Sequence, residues 1–193
     1  MAQSDKQLGN LAHQVLGVLL REPRSGYDIV KQIQNFRPAK TSQVYPTLAR
    51  LQDMGFVTST LVTQSARPDK RVYEVTEAGR AHLSTWIGSE PEPPFARDDF
   101  LTMVYSAWIK SPEEVLPMFA RRLAFQEEAI GKLTRDLARV LSDHPDKCED
   151  PADWQFYRAV LTRRRIAVLR EDAVWTKAMI DRLGRHVPDA ERG

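Results

Sequence analysis

Five side chains that can form hydrogen bonds lie between residues 42 and 50. Glutamine can pair with an adenine edge, arginine can reach a guanine or a phosphate, and tyrosine can pack on a sugar and donate to a phosphate. The apolar residues among them, Val44, Leu48 and Leu51, recur at helical spacing. We therefore expect the polar residues to cover the outer faces of one helix: Ser42, Gln43, Tyr45, Thr47 and Arg50. Double-stranded DNA is a suitable partner for such a face. Unless the neighbouring elements also form a DNA-binding fold, however, a polar helix face is ordinarily just solvated.

Basic residues stand on both sides of this predicted helix. Lys40 comes just before it, and three further cations follow later in the chain: Arg67, Lys70 and Arg71. Residues 70–76 alternate as in a strand, which places Lys70 and Arg71 on opposite faces. A long basic side chain near a turn needs only to bring its charge close to a phosphate, so either face can serve. These four cations are candidate contacts to the DNA backbone.

Two helices are predicted to precede the polar helix. The apolar pattern of residues 8–20 predicts the first, and Pro23 closes it. Ser25 is suited to cap a second helix over residues 26–35, and Tyr27 is expected on its inward side. The pattern thus supplies two supporting helices for the third.

The third helix has clear signals at both ends. Thr41 or Ser42 is expected as its N-cap, and its apolar face continues to Met54. Gly55 is a natural residue at which to end it.

The period of the pattern then changes from helix to strand. Residues 56–63 and 70–76 are rich in β-branched residues and flank a polar turn over residues 64–69, which predicts a hairpin. A fourth helix starts at Thr76 and continues through Ile87. Three helices followed by a hairpin with a basic tip are typical of a winged helix-turn-helix.

A proline-rich segment divides the chain. Residues 90–94 contain three prolines, which cannot continue a helix and favour an extended connection. We therefore predict a winged helix-turn-helix DNA-binding domain over residues 1–90, a linker over 91–97 and a helical dimerisation domain over 98–193. The predicted fold class is mainly α, with a small β-hairpin wing and an all-α, coiled-coil-like C-terminal domain.

The distribution of charge favours the N-terminal half for a polyanion. The whole chain has a formal net charge of +2. Residues 1–89 carry 11 Lys/Arg against 7 Asp/Glu, whereas residues 90–193 carry 17 against 19. The first half is thus net positive and the second net negative, which agrees with a DNA-binding function in the first.

The C-terminal half has a helical pattern throughout. Asp98 and Asp99 open a short helix to Trp108, and a capping box at residues 111–114 opens a long one whose apolar positions follow a heptad over 116–140. Asp150 and Pro151 open the last helix, to Leu183, which carries two apolar stripes. One intramolecular neighbour buries one stripe, so the second favours a partner chain. The predicted dimer contacts are Phe119, Leu123, Ile130, Leu133, Leu137, Ile166, Leu169, Ile180 and Leu183.

Four segments resemble the PadR family of transcriptional regulators. Residues 42–51 (SQVYPTLARL) with 55–57 (GFV) resemble the family's recognition-helix segment, as residues 25–29 (SGYDI) resemble the helix before it. Residues 67–79 (RPDKRVYEVTEAG) resemble its wing and following helix, although the family's frequent Gly-Arg-Pro is replaced by Ala-Arg-Pro. The resemblance extends over the chain in outline and is most specific across residues 25–80.

This resemblance implies a dimeric bacterial repressor that binds a near-palindromic operator. It also implies that a small aromatic or phenolic compound can act as an effector, for which the sequence assigns no binding residues. Two alternatives remain at this stage. One is a winged-helix adaptor that has lost DNA binding, and the other is a different winged-helix regulator such as the MarR type. The single helical block after the linker argues against the MarR type, whose chains usually flank the winged domain on both sides.

Other functional classes are disfavoured. No apolar run approaches the roughly 20 residues of a membrane span, and the N-terminus lacks a signal-peptide pattern, so we expect a cytoplasmic protein. His144 and Cys148 stand near several acidic residues, but a zinc site needs more ligands at matched spacing. No phosphate-binding loop, nucleophile elbow or paired-carboxylate arrangement is present. We therefore expect no metal, no cofactor and no enzymatic activity.

Overall fold

The computed structural model describes residues 8–34, 40–63, 69–91 and 98–187. The chain divides into two compact units, Met1–Pro94 and Phe95–Gly193. The first unit contains, in order, α1 (Asn10–Leu19), β1 (Arg24–Ser25), α2 (Gly26–Gln34), α3 (Thr41–Asp53), β2 (Val57–Val62), β3 (Lys70–Val75) and α4 (Glu77–Ile87). The second contains α5 (Asp99–Tyr105), a 3-10 turn (Ala107–Ile109), α6 (Pro112–Asp143), α7 (Pro145–Glu149) and α8 (Trp154–Gly184). The mainly helical fold with a small antiparallel sheet agrees with the predicted class.

The core of the first unit is formed by the apolar sides of its helices and by the inner face of the sheet. Val15 and Leu16 of α1 are fully buried, as are Leu48 of α3 and Ile29 of α2. From the sheet, Tyr73 packs into the same cluster. Burial of these side chains away from water is the main favourable term that holds the three helices together.

The sheet has one more strand than the sequence predicted. Its order is β1-β3-β2, and all pairs are antiparallel. In β1, Arg24 pairs with Tyr73 and Ser25 pairs with Val72. A strand of two residues has too short a pattern to recognise, because it exists only through its partner. Ser25 also acts as the predicted cap of α2, since its Oγ accepts a hydrogen bond of 3.2 Å from the N–H of Asp28.

Two local predictions in this unit were wrong. Tyr27 was expected on the inward side of α2, but its side chain is 71% exposed. The N-cap of α3 is Lys40 rather than Thr41 or Ser42, and its N–H donates to the side-chain oxygen of Gln43 at 3.2 Å. The backbone N–H at the start of α3 is therefore satisfied by the side chain of Gln43, which lies inside the helix, and not by a hydroxyl of Thr41 or Ser42.

The helical unit starts its elements close to the predicted signals. Asp98 caps α5, and Pro112 is the first residue of α6. Glu114 accepts a hydrogen bond of 3.1 Å from the N–H of Ser111, as the capping box requires. The hydrogen bond from Lys110 lowers the pKa of the Glu114 carboxyl.

Three boundaries in this unit differ from the prediction. The helix expected to reach Trp108 ends at Tyr105 and is followed by a 3-10 turn. The segment around Cys148, where the sequence predicted no helix, contains the short helix α7, in which that thiol is buried. The last helix starts at Trp154, after Asp153, whose carboxylate accepts from the N–H of Gln155 at 2.8 Å.

The long helices α6 and α8 pack on one another through a seam that contains polar residues. Gln126 of α6 and Thr176 of α8 are both buried. The Thr176 hydroxyl donates to the carbonyl of Asp172, one turn earlier, at 2.8 Å. Of the heptad predicted for α6, Phe119, Gln126 and Val140 are buried within the chain itself.

The start of α5 is attached to α6 by charge and by aromatic contact. Arg122 forms an ion pair of 2.5 Å with Asp98 and lies 4.9 Å from the centre of the Phe100 ring. That ring meets Phe119 edge-on at 5.3 Å, and Phe119 lies 6.0 Å from Trp175 of α8. These contacts bring α5, α6 and α8 together at one aromatic cluster.

Two histidines face one another between α1 and α4. The Nε2 atoms of His13 and His82 are 3.3 Å apart. The His13 ring stacks on Trp86 at 4.0 Å, and the His82 ring stacks on Phe56 at 4.7 Å. Burial lowers the pKa of His13, and the neighbouring His82 lowers it further. A protonated His13 would also bring a buried Nδ1–H that has no acceptor among the described residues.

This arrangement predicts that the winged unit loses stability in mild acid. The unfolded pKa of histidine is about 6.5, and the folded pKa of His13 lies below it. The unfolded chain therefore binds more protons between these two values, so the stabilisation is complete above about pH 6.5 and is lost as the pH falls towards the folded pKa. We expect His13→Phe, which keeps a flat ring in the stack, to reduce this loss. Urea unfolding followed by circular dichroism between pH 8 and pH 5 measures it.

His186→Phe provides the matched control because His186 is exposed. It should retain the pH dependence of the wild type. An equal pH dependence in wild type and His13→Phe would contradict the assignment to His13.

Candidate nucleic-acid interface

Helix α3 presents the predicted polar face outward because its apolar side is fully used. Val44, Leu48 and Leu51 are all 0% exposed. The opposite faces carry the predicted contact residues: Ser42, Gln43 and Tyr45 are exposed, whereas Thr47 and Arg50 are half-buried. All five predicted residues of this helix thus lie outside its buried face.

Two of these polar side chains already have partners within the helix. The side-chain oxygen of Gln43 accepts from the N–H of Lys40, and the hydroxyl of Thr47 donates to the carbonyl of Gln43 at 2.7 Å. A glutamine that reads adenine uses its oxygen and its nitrogen together. Gln43 would therefore have to share or release its capping bond in order to do so, whereas its NH₂ group can donate without any rearrangement.

Tyr45 lies at the junction of α2 and α3. Its ring is 44% exposed, and the edge that carries the hydroxyl rests against Gly26 of α2. Tyr45 is thus partly exposed at the surface, while the hydroxyl edge of its ring is supported by α2.

The predicted wing is a regular hairpin with its cations close to the turn. Lys70 and Arg71 open β3 and pair with Val62 and Leu61 of β2. Both cations are exposed and, by strand alternation, lie on opposite faces, as predicted. Arg67 lies outside the described residues.

Among the described residues of this unit, some cations form ion pairs with carboxylates, and others do not. Arg24 pairs with Glu22, and Arg80 pairs with Glu77 at 3.8 Å. Three cations of the predicted interface have exposed side chains and no ion pair to another described residue: Lys40, Lys70 and Arg71.

A tight turn fixes the hairpin to the end of α3. Gly55 adopts a positive φ of 72°, its N–H bonds to the carbonyl of Gln52, and the N–H of Phe56 bonds to the carbonyl of Leu51, both at 2.9 Å. This is the Schellman arrangement, in which glycine is favoured because a Cβ is strained at positive φ. The side chain of Gln52 also accepts from the hydroxyl of Ser59 in β2 at 3.2 Å. The wing is therefore held at a set position relative to α3.

Thr76 connects the same turn to α4. Its hydroxyl donates to the carbonyl of Gly55 at 2.7 Å and accepts from the N–H of Gly79 at 3.1 Å. One side chain thus caps α4 and closes the turn after α3.

Two exposed apolar or aromatic residues beside the interface were missed by sequence reasoning. Tyr27 is 71% exposed beside Gly26, and Leu61 is 62% exposed at the wing, opposite Arg71. Their exposure was not visible in the sequence, because aromatic and aliphatic residues in a periodic pattern are more often buried.

The predicted dimer residues lie at different depths in the helical unit. Phe119 and Ile166 are 1% and 5% exposed and so are already buried within the chain. The remaining members are half-buried: Leu123, Ile130, Leu133, Leu137, Leu169, Ile180 and Leu183. A separate series on α8, spaced by seven residues, is clearly exposed: Leu161 (52%), Val168 (45%) and Trp175 (41%).

Two further features are absent from the part of the chain that the structure describes, a metal-binding group and a membrane-spanning helix. No three His, Cys, Asp or Glu side chains there are grouped so as to hold a metal ion. None of the helices there is both long enough and apolar enough to cross a membrane.

Comparison with known proteins gives one family match and several relatives. Residues 15–85 match the profile of the Transcriptional regulator PadR-like family. The chain is 28% identical to the Negative transcriptional regulator PadR of Bacillus subtilis over 158 residues, which span 79% of this chain and 86% of that protein.

The fold also matches solved structures of that protein. The crystal structure of Bacillus subtilis PadR in complex with operator DNA superposes with a TM-score of 0.76 at 23% identity, covering 90% of this chain and 98% of the other. The structure of the same protein in complex with p-coumaric acid gives a TM-score of 0.72 at 23% identity over the same shares of the two chains. At this identity the superpositions establish a common fold.

The role of Thr76 predicts the cost of removing its hydroxyl. Thr76→Val keeps the shape of the side chain but leaves the Gly79 N–H and the Gly55 carbonyl without this partner. We expect the free energy of unfolding to fall by about 1–2 kcal/mol. Thr58→Val, at an exposed position of β2, should change it by less than about 0.5 kcal/mol. Urea unfolding of both variants tests this, and equal effects would contradict the assigned role.

Proposed function

We propose that the chain is a member of the PadR-like family of transcriptional regulators, whose profile matches residues 15–85, and that it is a homodimeric repressor that binds a near-palindromic DNA operator. The observation that carries the proposal is that the first unit presents both an outward polar face on α3 and exposed cations on the wing. The family match favours this reading over the MarR-type alternative. Repression is proposed because the Bacillus subtilis relative is named a negative regulator.

In this proposal α3 enters the major groove and the wing follows the backbone. Ser42, Gln43 and Tyr45 lie near the start of α3, which is the part of a recognition helix that reaches base edges. Lys70 and Arg71 contact phosphates from the two faces of the hairpin. Further contacts come from Thr47 and Arg50 on α3, from Lys40 before it and from Arg67 in the wing turn.

Tyr27 is a further proposed DNA contact, because its side chain is exposed. Its side chain extends from the first turn of α2, the helix that crosses the DNA backbone in a helix-turn-helix. A phenol there can donate a hydrogen bond to a phosphate oxygen, which positions the protein without selecting a sequence.

The helical unit is proposed to form the dimer. Apolar residues repeated every seven positions on one helix are typical of helix pairing between chains. Leu161, Val168 and Trp175 form such a series and are exposed in the single chain, so a partner would bury them. The half-buried residues among the predicted dimer contacts would then lie at the edge of the interface. Two winged units joined in this way would contact half-sites about one helical turn apart.

The proposal includes an effector of small, aromatic or phenolic character. It is supported by the complex of the Bacillus subtilis relative with p-coumaric acid. An effector can release DNA only if it binds more tightly to a form of the dimer that does not fit the operator. The proposed function involves binding alone and no catalytic step, and a DNA-binding regulator of this kind would act in the cytoplasm.

DNA binding is tested with labelled duplexes from the region around the protein's own gene. Fluorescence anisotropy at low and moderate salt should show selective binding that weakens steeply as salt rises, because phosphate contacts release counterions. Lys70→Ala should weaken binding on every fragment and reduce the slope of log K against log salt by about 1. Tyr45→Ala should weaken binding to the preferred fragment, with less change in the slope.

Lys147→Ala is the matched control, since it removes one exposed charge from α7 in the other unit. It should leave affinity for DNA unchanged. Weak and equal binding of all fragments, unaffected by Tyr45→Ala and Lys70→Ala, would instead favour the adaptor function.

The proposed dimer surface is tested by placing a charge in the series. Val168→Glu would bury an unpaired carboxylate in the dimer, so we expect a folded monomer by light scattering and circular dichroism. Loss of the second winged unit should weaken operator binding by about a hundredfold. Lys177→Glu introduces the same charge at an exposed position of α8 outside the series and should remain dimeric. A dimeric Val168→Glu with normal affinity would place the interface elsewhere.

A further inference from the structure

Gly26 and Tyr45 approach one another too closely for a side chain on the first. A Cβ built on Gly26 would lie 2.7 Å from Cε1 of Tyr45 and 3.0 Å from both its Cζ and its Oη. These three atoms are the nearest heavy atoms to that position, and they form the ring edge that carries the hydroxyl. The phenol of Tyr45 therefore lies against the backbone at the first residue of α2.

The requirement for glycine here is one of space and not of backbone conformation. Among the described residues, Gly55 is the glycine with a positive φ, so position 26 lies in a region of φ that other residues also adopt. Any side chain at position 26 would meet the Tyr45 ring before anything else.

The ring would yield to such a side chain before the backbone does. Gly26 is buried at the start of α2, whereas the Tyr45 side chain is 44% exposed. The atoms in conflict are at the outer end of a side chain with two rotatable bonds, and Val44 and Leu48 hold α3 in the core independently of them. A Cβ at position 26 would thus rotate the phenol away from α2 while the helices stay in place.

We propose that Gly26 is a positioning residue of the DNA interface, which acts by leaving room for the Tyr45 ring to rest on α2. This inference depends on the proposed function, since it assigns a role within the same site. A phenol supported in this way has its hydroxyl in place before DNA arrives, so less rotational freedom is lost on binding. Tyr27, which follows Gly26 in the chain, is exposed at the same junction of α2 and α3, where we have proposed that it contacts the DNA backbone.

A double-mutant cycle on the full-length protein tests the proposal. The four proteins are wild type, Gly26→Ala, Tyr45→Ala and the double variant, and their affinities are measured on the preferred duplex from the region around the protein's own gene. We expect Gly26→Ala to weaken binding by about tenfold, the order of a hydrogen bond to a charged group. In the Tyr45→Ala background the same change should have no effect, because no ring remains to be displaced.

Gly17→Ala is the matched control. A Cβ there meets nothing within 4 Å, so this α1 variant should bind DNA as the wild type does and melt at an equal or higher temperature. Thermal unfolding of all variants separates positioning from folding. If Gly26→Ala lowers the melting temperature, Tyr45→Ala should restore it, since the three atoms nearest to the new Cβ all belong to Tyr45.

The outcomes divide clearly. Loss of affinity in Gly26→Ala that disappears in the Tyr45→Ala background supports the proposal. Wild-type affinity in Gly26→Ala overturns it, and so does an equal loss in both backgrounds, which would mean that Gly26 acts on DNA binding through another residue. Failure of the wild type to bind any fragment selectively would be a failure of the proposed function itself.

Discussion

The burial of one side of α3 is the constraint on which the interface depends. Val44, Leu48 and Leu51 have no exposed surface, and the free energy of keeping them out of water sets the rotation of the helix. A helix that is fixed on one side must present its remaining residues on the others. The polar face is thus positioned by the core beneath it, before any contact with DNA.

The same helix is then fixed along its axis at both ends. Gln43 caps its start through the N–H of Lys40, and the turn at Gly55 ends it and leads directly into the wing. Thr76 returns to that turn from the start of α4. The end of α3, the wing and α4 therefore share one set of hydrogen bonds, which is made by Gly55 and Thr76, two residues that are not themselves candidate contacts.

The helical unit shows how one amphipathic pattern can serve two surfaces. The heptad of α6 meets α8 within the chain, where Phe119 and Ile166 are buried. The exposed series at Leu161, Val168 and Trp175 is a second surface on α8. A sequence pattern reports that a position is apolar, but both kinds of contact need apolar residues, so the pattern does not decide which one each residue makes.

The sequence by itself determined the elements whose signals are local. Helical period, strand alternation, the capping residues Asp98 and Ser111 and the glycine at position 55 predicted most helices, the hairpin and the outward face of α3, because each depends on neighbours a few residues away. Tertiary structure alone decided the exposure of Tyr27, the pairing of β1 with β3, the use of Gln43 as a cap and the contact between Gly26 and Tyr45. Each of these depends on which segments meet in space or on which of several partners a side chain selects, and burial or hydrogen bonding between distant residues outweighs local preference there.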